Sequence, residues 1–173
     1  MTSVALQEAV HRADAQSRGT NQTGVRAYNE RLVLSLIRRH GQMAKVEIAR
    51  LTGLSAQTVS VIVKQLETDG LLKREAKLRG RVGQPSVPFA LDPTGAYAFG
   101  FKIGRRSAEV VLVGLTGEVL GSRRTTYRYP LVGQLEAFAL ASIEELLGTL
   151  QPAVRRRVCG IGLALPFEIW SWA

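Results

Sequence analysis

The side chains with the clearest chemistry lie in one stretch, KVEIARLTGLSAQTVSVIVK, from Lys45 to Lys64. Its second half leaves Ala56, Gln57, Thr58, Ser60, Val61 and Lys64 off the apolar face, with Ser55 just before them: hydroxyls, one amide, one ammonium and two small apolar side chains. A glutamine amide can pair with both polar atoms of an adenine edge, hydroxyls can meet bases or phosphates, and lysine attracts phosphate. This is chemistry of recognition, not of bond making. The same side chains would also serve as the merely solvated face of a helical hairpin. The register around them decides between the two readings.

Ile48, Leu51, Leu54, Val59, Ile62 and Leu66 recur at helical spacing and predict one buried face. Ala49 is small where two helices must approach. Gly53 falls where the first helix must stop and the backbone must turn through positive φ. Ser55 follows as the natural N-cap of the next helix. Two short helices joined by so tight a turn predict a helix-turn-helix, whose second helix reads duplex DNA in a major groove.

Other chemistries are poorly served. Cys159 is the single cysteine, so neither an internal disulfide nor a thiolate metal cluster can form, and its apolar setting predicts a small buried hydrophobe. His11 and His40 are far apart, and His40 after Arg38 and Arg39 predicts the cationic last turn of a helix. Gly160-Ile161-Gly162 resembles the start of a dinucleotide fingerprint, but Leu165 stands where its third glycine is needed. No cofactor, metal site or catalytic residue is expected.

The 173 residues are enough for one ordinary domain or two small ones, and 46% hydrophobic residues supports real cores. The net charge is +9, of which +6 lies before Pro93, from 14 Lys and Arg against 8 Asp and Glu. A basic front half suits phosphate contacts. No apolar run has the length of a membrane span and the start lacks signal-peptide character, so a cytoplasmic protein without membrane partners is expected.

Residues 1–24 are polar and patternless and predict a flexible tail. Leu32, Val33, Leu36 and Ile37 predict a first helix from Tyr28 to His40, ended by Gly41. The second helix, about Lys45 to Thr52, has Met43 and Ala44 where a Ser or Thr cap would be expected. The third runs from Ser55 to about Asp69. Leu71 to Glu75 and Val87 to Leu91 then predict a hairpin whose glycine-rich tip carries Arg79 and Arg81. Those arginines either keep a loop soluble or enter a minor groove, and the second role suits a basic wing. Asp92-Pro93-Thr94-Gly95 marks a boundary. Strands at Ala98–Ile103, Ala108–Val113 and Glu118–Thr126 follow, then a helix from Gln134 to Leu150. Val158 to Leu165 is a continuous apolar run, the mark of a central strand buried on both faces. This βββαβ order predicts a mixed sheet with helical cover.

A winged helix with a glycine-rich wing, followed by GAYAFGFKIGRRSAEVVLVGLTGEVL and then GIGLALP, resembles the ROK transcriptional regulators from about Tyr28 to Pro166. The resemblance implies an α+β chain, a winged helix-turn-helix followed by a partial actin-like, ribonuclease H-like α/β lobe. The implied domains are 25–92 for DNA binding and 93–173 for the first part of a sensing domain cut short at Ala173. It implies a repressor of carbohydrate-related genes that answers to a sugar or sugar phosphate. A homo-oligomer is expected only with the missing C-terminal part. Family kinases, the rival reading, carry an Asp-x-Gly-Gly-Thr loop, where this chain has Lys102-Ile103-Gly104-Arg105-Arg106. A cation replaces the metal-binding carboxylate and arginine fills the second glycine position, so phosphoryl transfer is not expected. Arg105 and Arg106 could hold an anionic ligand or form a solvated turn. A third reading is a small regulator complete at this length. The truncation reading predicts a loose second domain with Val158–Leu165 as an uncovered edge beside Ile169, Trp170 and Trp172.

Overall fold

The computed structural model describes residues 22–76 and 87–166. The tail before Gln22, the wing tip with Arg79 and Arg81, and Ile169, Trp170 and Trp172 lie outside the described residues.

The first helix, α1, spans Gln22–His40 and buries Val33 and Ile37, with Arg38, Arg39 and His40 complementing the dipole of its last turn. It begins at Gln22, not at Tyr28 as expected. Polar residues hid the first turns, while Val25 continues the spacing of the later apolar positions. A two-residue strand, β1 (Gln42–Met43), follows Gly41, and Met43 is buried.

Helix α2 spans Lys45–Thr52. Ala44 is its N-cap, and its backbone N–H donates to the Glu47 carboxylate at 3.1 Å. Half of a capping box thus replaces the missing hydroxyl. Gly53, at φ 70°, closes the helix in the left-handed region, as expected. Helix α3 spans Ala56–Thr68 and buries Val59, Ile62, Val63 and Leu66. The two helices are bent by 119° to each other, as a helix-turn-helix requires. Leu51, expected in the packed face, is 47% exposed. It falls on the outer side of a helix only eight residues long, and Leu54 takes its place at the edge of the core.

Strands β2 (Leu72–Arg74) and β3 (Phe89–Leu91) pair antiparallel, and β1 adds to the other side of β3. Leu72, Phe89 and Leu91 close the core formed by the three helices. Each such fully buried side chain contributes about 1.5–3 kcal/mol of burial free energy.

Strands β4 (Tyr97–Ile103), β5 (Ser107–Gly114) and β6 (Val119–Thr126) form antiparallel neighbours. Helices α4 (Val132–Thr149) and α5 (Pro152–Arg155) carry the chain over to β7 (Val158–Ala164), which runs parallel to β4. The sheet order is β6-β5-β4-β7. Tyr97, Phe99, Phe101 and Ile103 alternate inward along β4, and with Ala108, Val110, Leu112, Leu135 and Leu146 they form a second core. The second region therefore has a core of its own.

Two further expectations are corrected at β7. Among the described residues it is not a central strand buried on both faces but an edge strand: Ile161 and Leu163, in register with Phe99 and Phe101, are 53% and 60% exposed. The reason is the course of α4, which lies over β5 and β6. Cys159 is exposed for the same reason, its thiol donating to the Tyr97 carbonyl at 3.1 Å.

The boundary at Asp92 is a closed turn. The Asp92 carboxylate accepts from the backbone N–H and hydroxyl of Thr94, both at 2.8 Å, and Gly95 N–H donates to the Asp92 carbonyl. A Cβ on Gly95 would stand 2.7 Å from the Gly70 carbonyl, so only glycine fits. Leu115, from the β5–β6 turn, packs against the first core, and Arg157 donates to the Thr94 carbonyl at 2.9 Å.

Candidate nucleic-acid interface

Around α3 each residue turns by about 100°, and the buried Val59, Ile62, Val63 and Leu66 define the inner side. Directly opposite run Gln57, Val61 and Lys64, all exposed, at i, i+4 and i+7. They form the outward crest of the helix. The other proposed contact residues occupy different places. Ser55 caps the helix: its hydroxyl accepts from Thr58 N–H at 3.1 Å and lies 2.8 Å from the Thr58 hydroxyl. Both hydroxyls are thus engaged with each other. Ser60 lies on the opposite flank and is half-buried.

Each flank of the crest is built by another element. On one side α1 brings Val25, Arg26 and Asn29 against Gln57, Thr58 and Val61, enclosing a groove of about 530 Å³. Arg26 is steadied by Glu30 one turn later, at 2.8 Å. The α1 contribution was missed in the sequence; Val25, two turns before Leu32, was its signal. On the other side Arg74 of β2 grips Glu67 of α3 through two hydrogen bonds, at 2.6 and 3.1 Å. The hydrogen bond to Arg74 holds the Glu67 carboxyl below its ordinary range despite some desolvation, and Glu67 in turn raises the guanidinium. This clamp ties the base of the wing to the helix.

Lys45 at the start of α2 and Arg74 both lie over the Phe89 ring, 5.5 and 5.8 Å from its centroid. The aromatic face thus holds two cations at the wing base, of which Arg74 is already paired with Glu67. Lys64 gives the crest its own positive charge, and Lys45 adds a second at the wing base. No group of three or more His, Cys, Asp or Glu side chains suited to a metal occurs among the described residues. No single helix among them is long and apolar enough to cross a membrane.

The stretch that parallels the kinase loop is a tight β4–β5 turn. Gly104 N–H donates to the Ser107 carbonyl at 2.8 Å, and the Tyr127 hydroxyl shares its proton between the Gly104 and Ser107 carbonyls, at 2.8 and 2.9 Å. Burial raises the Tyr127 hydroxyl above its ordinary pKa, which keeps that proton in place. Lys102 faces Glu109 across the strands, and Glu109 faces Arg124. Opposed charges of this kind are ordinary cross-strand pairs.

Residues 27–81 match the family model described as the MarR family. The transcriptional regulator Rv0485 of Mycobacterium tuberculosis is 31% identical over 136 residues, covering 77% of this chain and 30% of its own length. The DNA-binding transcriptional dual regulator NagC of Escherichia coli is 26% identical over 146 residues, with 82% and 35% covered. The chain thus spans about a third of the length of the curated relatives it matches. A solved ROK family transcriptional regulator, described as a homologue of the E. coli MLC protein, superposes with a TM-score of 0.60 at 22% identity, covering 82% of this chain and 36% of that one. Domain, homology and fold converge: the chain carries a MarR-type helix-turn-helix, is homologous to NagC, and shares the fold of the matched third of a ROK family transcriptional regulator.

Proposed function

We propose that this chain binds duplex DNA with sequence preference and regulates transcription, as a repressor. The observation that carries the reading is the crest Gln57-Val61-Lys64, presented outward on the second helix of the helix-turn-helix and carrying its own cation. An α-helix of this kind fits the major groove, where Gln57 can take both polar atoms of an adenine edge. Lys64 and Lys45 supply phosphate contacts, and Arg79 and Arg81 are assigned to a minor groove beside the site. Ser55, Thr58 and Ser60 shape and support the crest.

We extend the proposal to carbohydrate-related genes and to a sugar or sugar phosphate effector. It is supported by the name of the relative in E. coli O157:H7, the N-acetylglucosamine repressor. The region from Tyr97 onward is the proposed sensing part, in a cytoplasmic protein. Enzymatic phosphoryl transfer is not part of this reading, because the closed β4–β5 turn carries Lys102 and Arg105 in place of a carboxylate and a glycine.

Binding titrations of a randomised duplex library at several salt concentrations test the DNA reading. Gln57→Ala should lose about 1–3 kcal/mol of discrimination at one base pair. Arg81→Ala should weaken binding to all sequences and reduce its salt dependence. A library that emerges unenriched, with affinity set by salt alone, would overturn the proposal.

A further inference from the structure

We propose that Val61 reads the 5-methyl group of a thymine, which makes it the second base-reading residue of the crest beside Gln57. The inference rests on the DNA-binding reading of α3 and adds a specificity that this reading does not contain.

Val61 is 58% exposed in the middle of a crest whose other members are polar. Val25 of α1, 55% exposed, borders the same groove of about 530 Å³, so the apolar surface has two walls. Around them stand Gln57, Thr58 and Asn29. Arg26 and the buried Ile62 complete the lining; three apolar side chains interrupted by Arg26, Asn29, Gln57 and Thr58 fall short of the extended hydrophobic groove into which a peptide helix lays its apolar face. The neighbouring charge also selects the partner: Lys64 follows on the same crest and the chain carries +9 overall, which favours a polyanion. Among the base edges in a major groove, thymine alone presents a methyl group.

The spacing agrees. Gln57 and Val61 are one turn apart, about 6 Å along the helix axis, against about 3.4 Å per base pair. With α3 lying along the groove, the adenine read by Gln57 and the thymine read by Val61 are adjacent or next but one. The expected site therefore contains a short A·T-rich step under the middle of α3.

The test uses the chain with a duplex enriched from a randomised library, and with copies in which each thymine in turn is replaced by deoxyuridine, which lacks only the methyl. The unmodified chain should bind about fourfold more weakly when one particular thymine is replaced, the loss expected for one methyl group returned to water. Val61→Ala should bind the thymine and deoxyuridine duplexes equally. Val61→Ile should keep the preference for thymine. Equal melting temperatures establish that Val61→Ala is folded. The inference is overturned if the unmodified chain prefers a sequence yet tolerates deoxyuridine at every position, or if Val61→Ala keeps the full preference for thymine. Failure to enrich any sequence would instead overturn the DNA reading together with it.

Discussion

Gly53 and Asp92 show how single residues set the geometry around α3. Gly53 holds φ 70°, and a Cβ placed on it would meet nothing within 4 Å. The cost of any side chain there is conformational alone. Gly53→Ala should therefore lower stability by about 1–2 kcal/mol, and urea denaturation should show an unchanged slope. Asp92 acts through charge. The Thr94 hydroxyl holds its carboxyl below the ordinary range, with help from the Thr94 backbone N–H and from Lys73 and Arg157. Because folding depresses this pKa, the stabilisation is complete above the carboxyl's unfolded value and is lost as acid protonates the folded group. Stability measured downward from pH 5 should fall more gently for Asp92→Asn than for the unmodified chain. Identical acid limbs would remove Asp92 from this role.

At the scale of elements, α3 is the piece on which recognition depends, and it is fixed at both ends. Ser55 caps its start, and the Glu67–Arg74 clamp joins its last turns to the wing base. Ser55→Ala should cost about 1 kcal/mol and speed amide exchange at Thr58, whose N–H it accepts. A smaller loss is expected if the Thr58 hydroxyl turns to serve the cap. Binding should weaken with the cap in the same variant, because a frayed first turn displaces Gln57. A Ser55→Ala protein of unchanged stability and exchange would show that the start of α3 is held by packing.

Across the whole molecule, the two cores meet at a narrow joint. Gly95 passes the Gly70 carbonyl just after α3 ends, Leu115 reaches back to the first core, and Arg157 pins Thr94. Gly95→Ala must push the Gly70 carbonyl away, and an overpacking cost of about 1–3 kcal/mol is expected in thermal unfolding. Hydrogen exchange should separate the sheet by position. Amides of α3 and of β4 and β5 should be slow, and those on the open edge of β7 fast. Uniform protection out to Ala164 would mean that something covers that edge in solution.

The helix-turn-helix was legible because its determinants are local. Gly53 and Ser55 act within a few residues, and the apolar period of α3 names its inner side without help from the rest of the chain. The βββαβ order was legible for the same reason. The tertiary structure alone decided what local pattern leaves free: that α1 extends to Gln22 and walls a groove beside Val61, that Arg74 reaches Glu67, and that Ser55 and Thr58 are occupied with each other. It also decided the fate of Val158 to Leu165. An apolar run specifies a strand, but its burial depends on which elements lie beside and above it. Here α4 covers β5 and β6, so the most hydrophobic strand stands at the open edge.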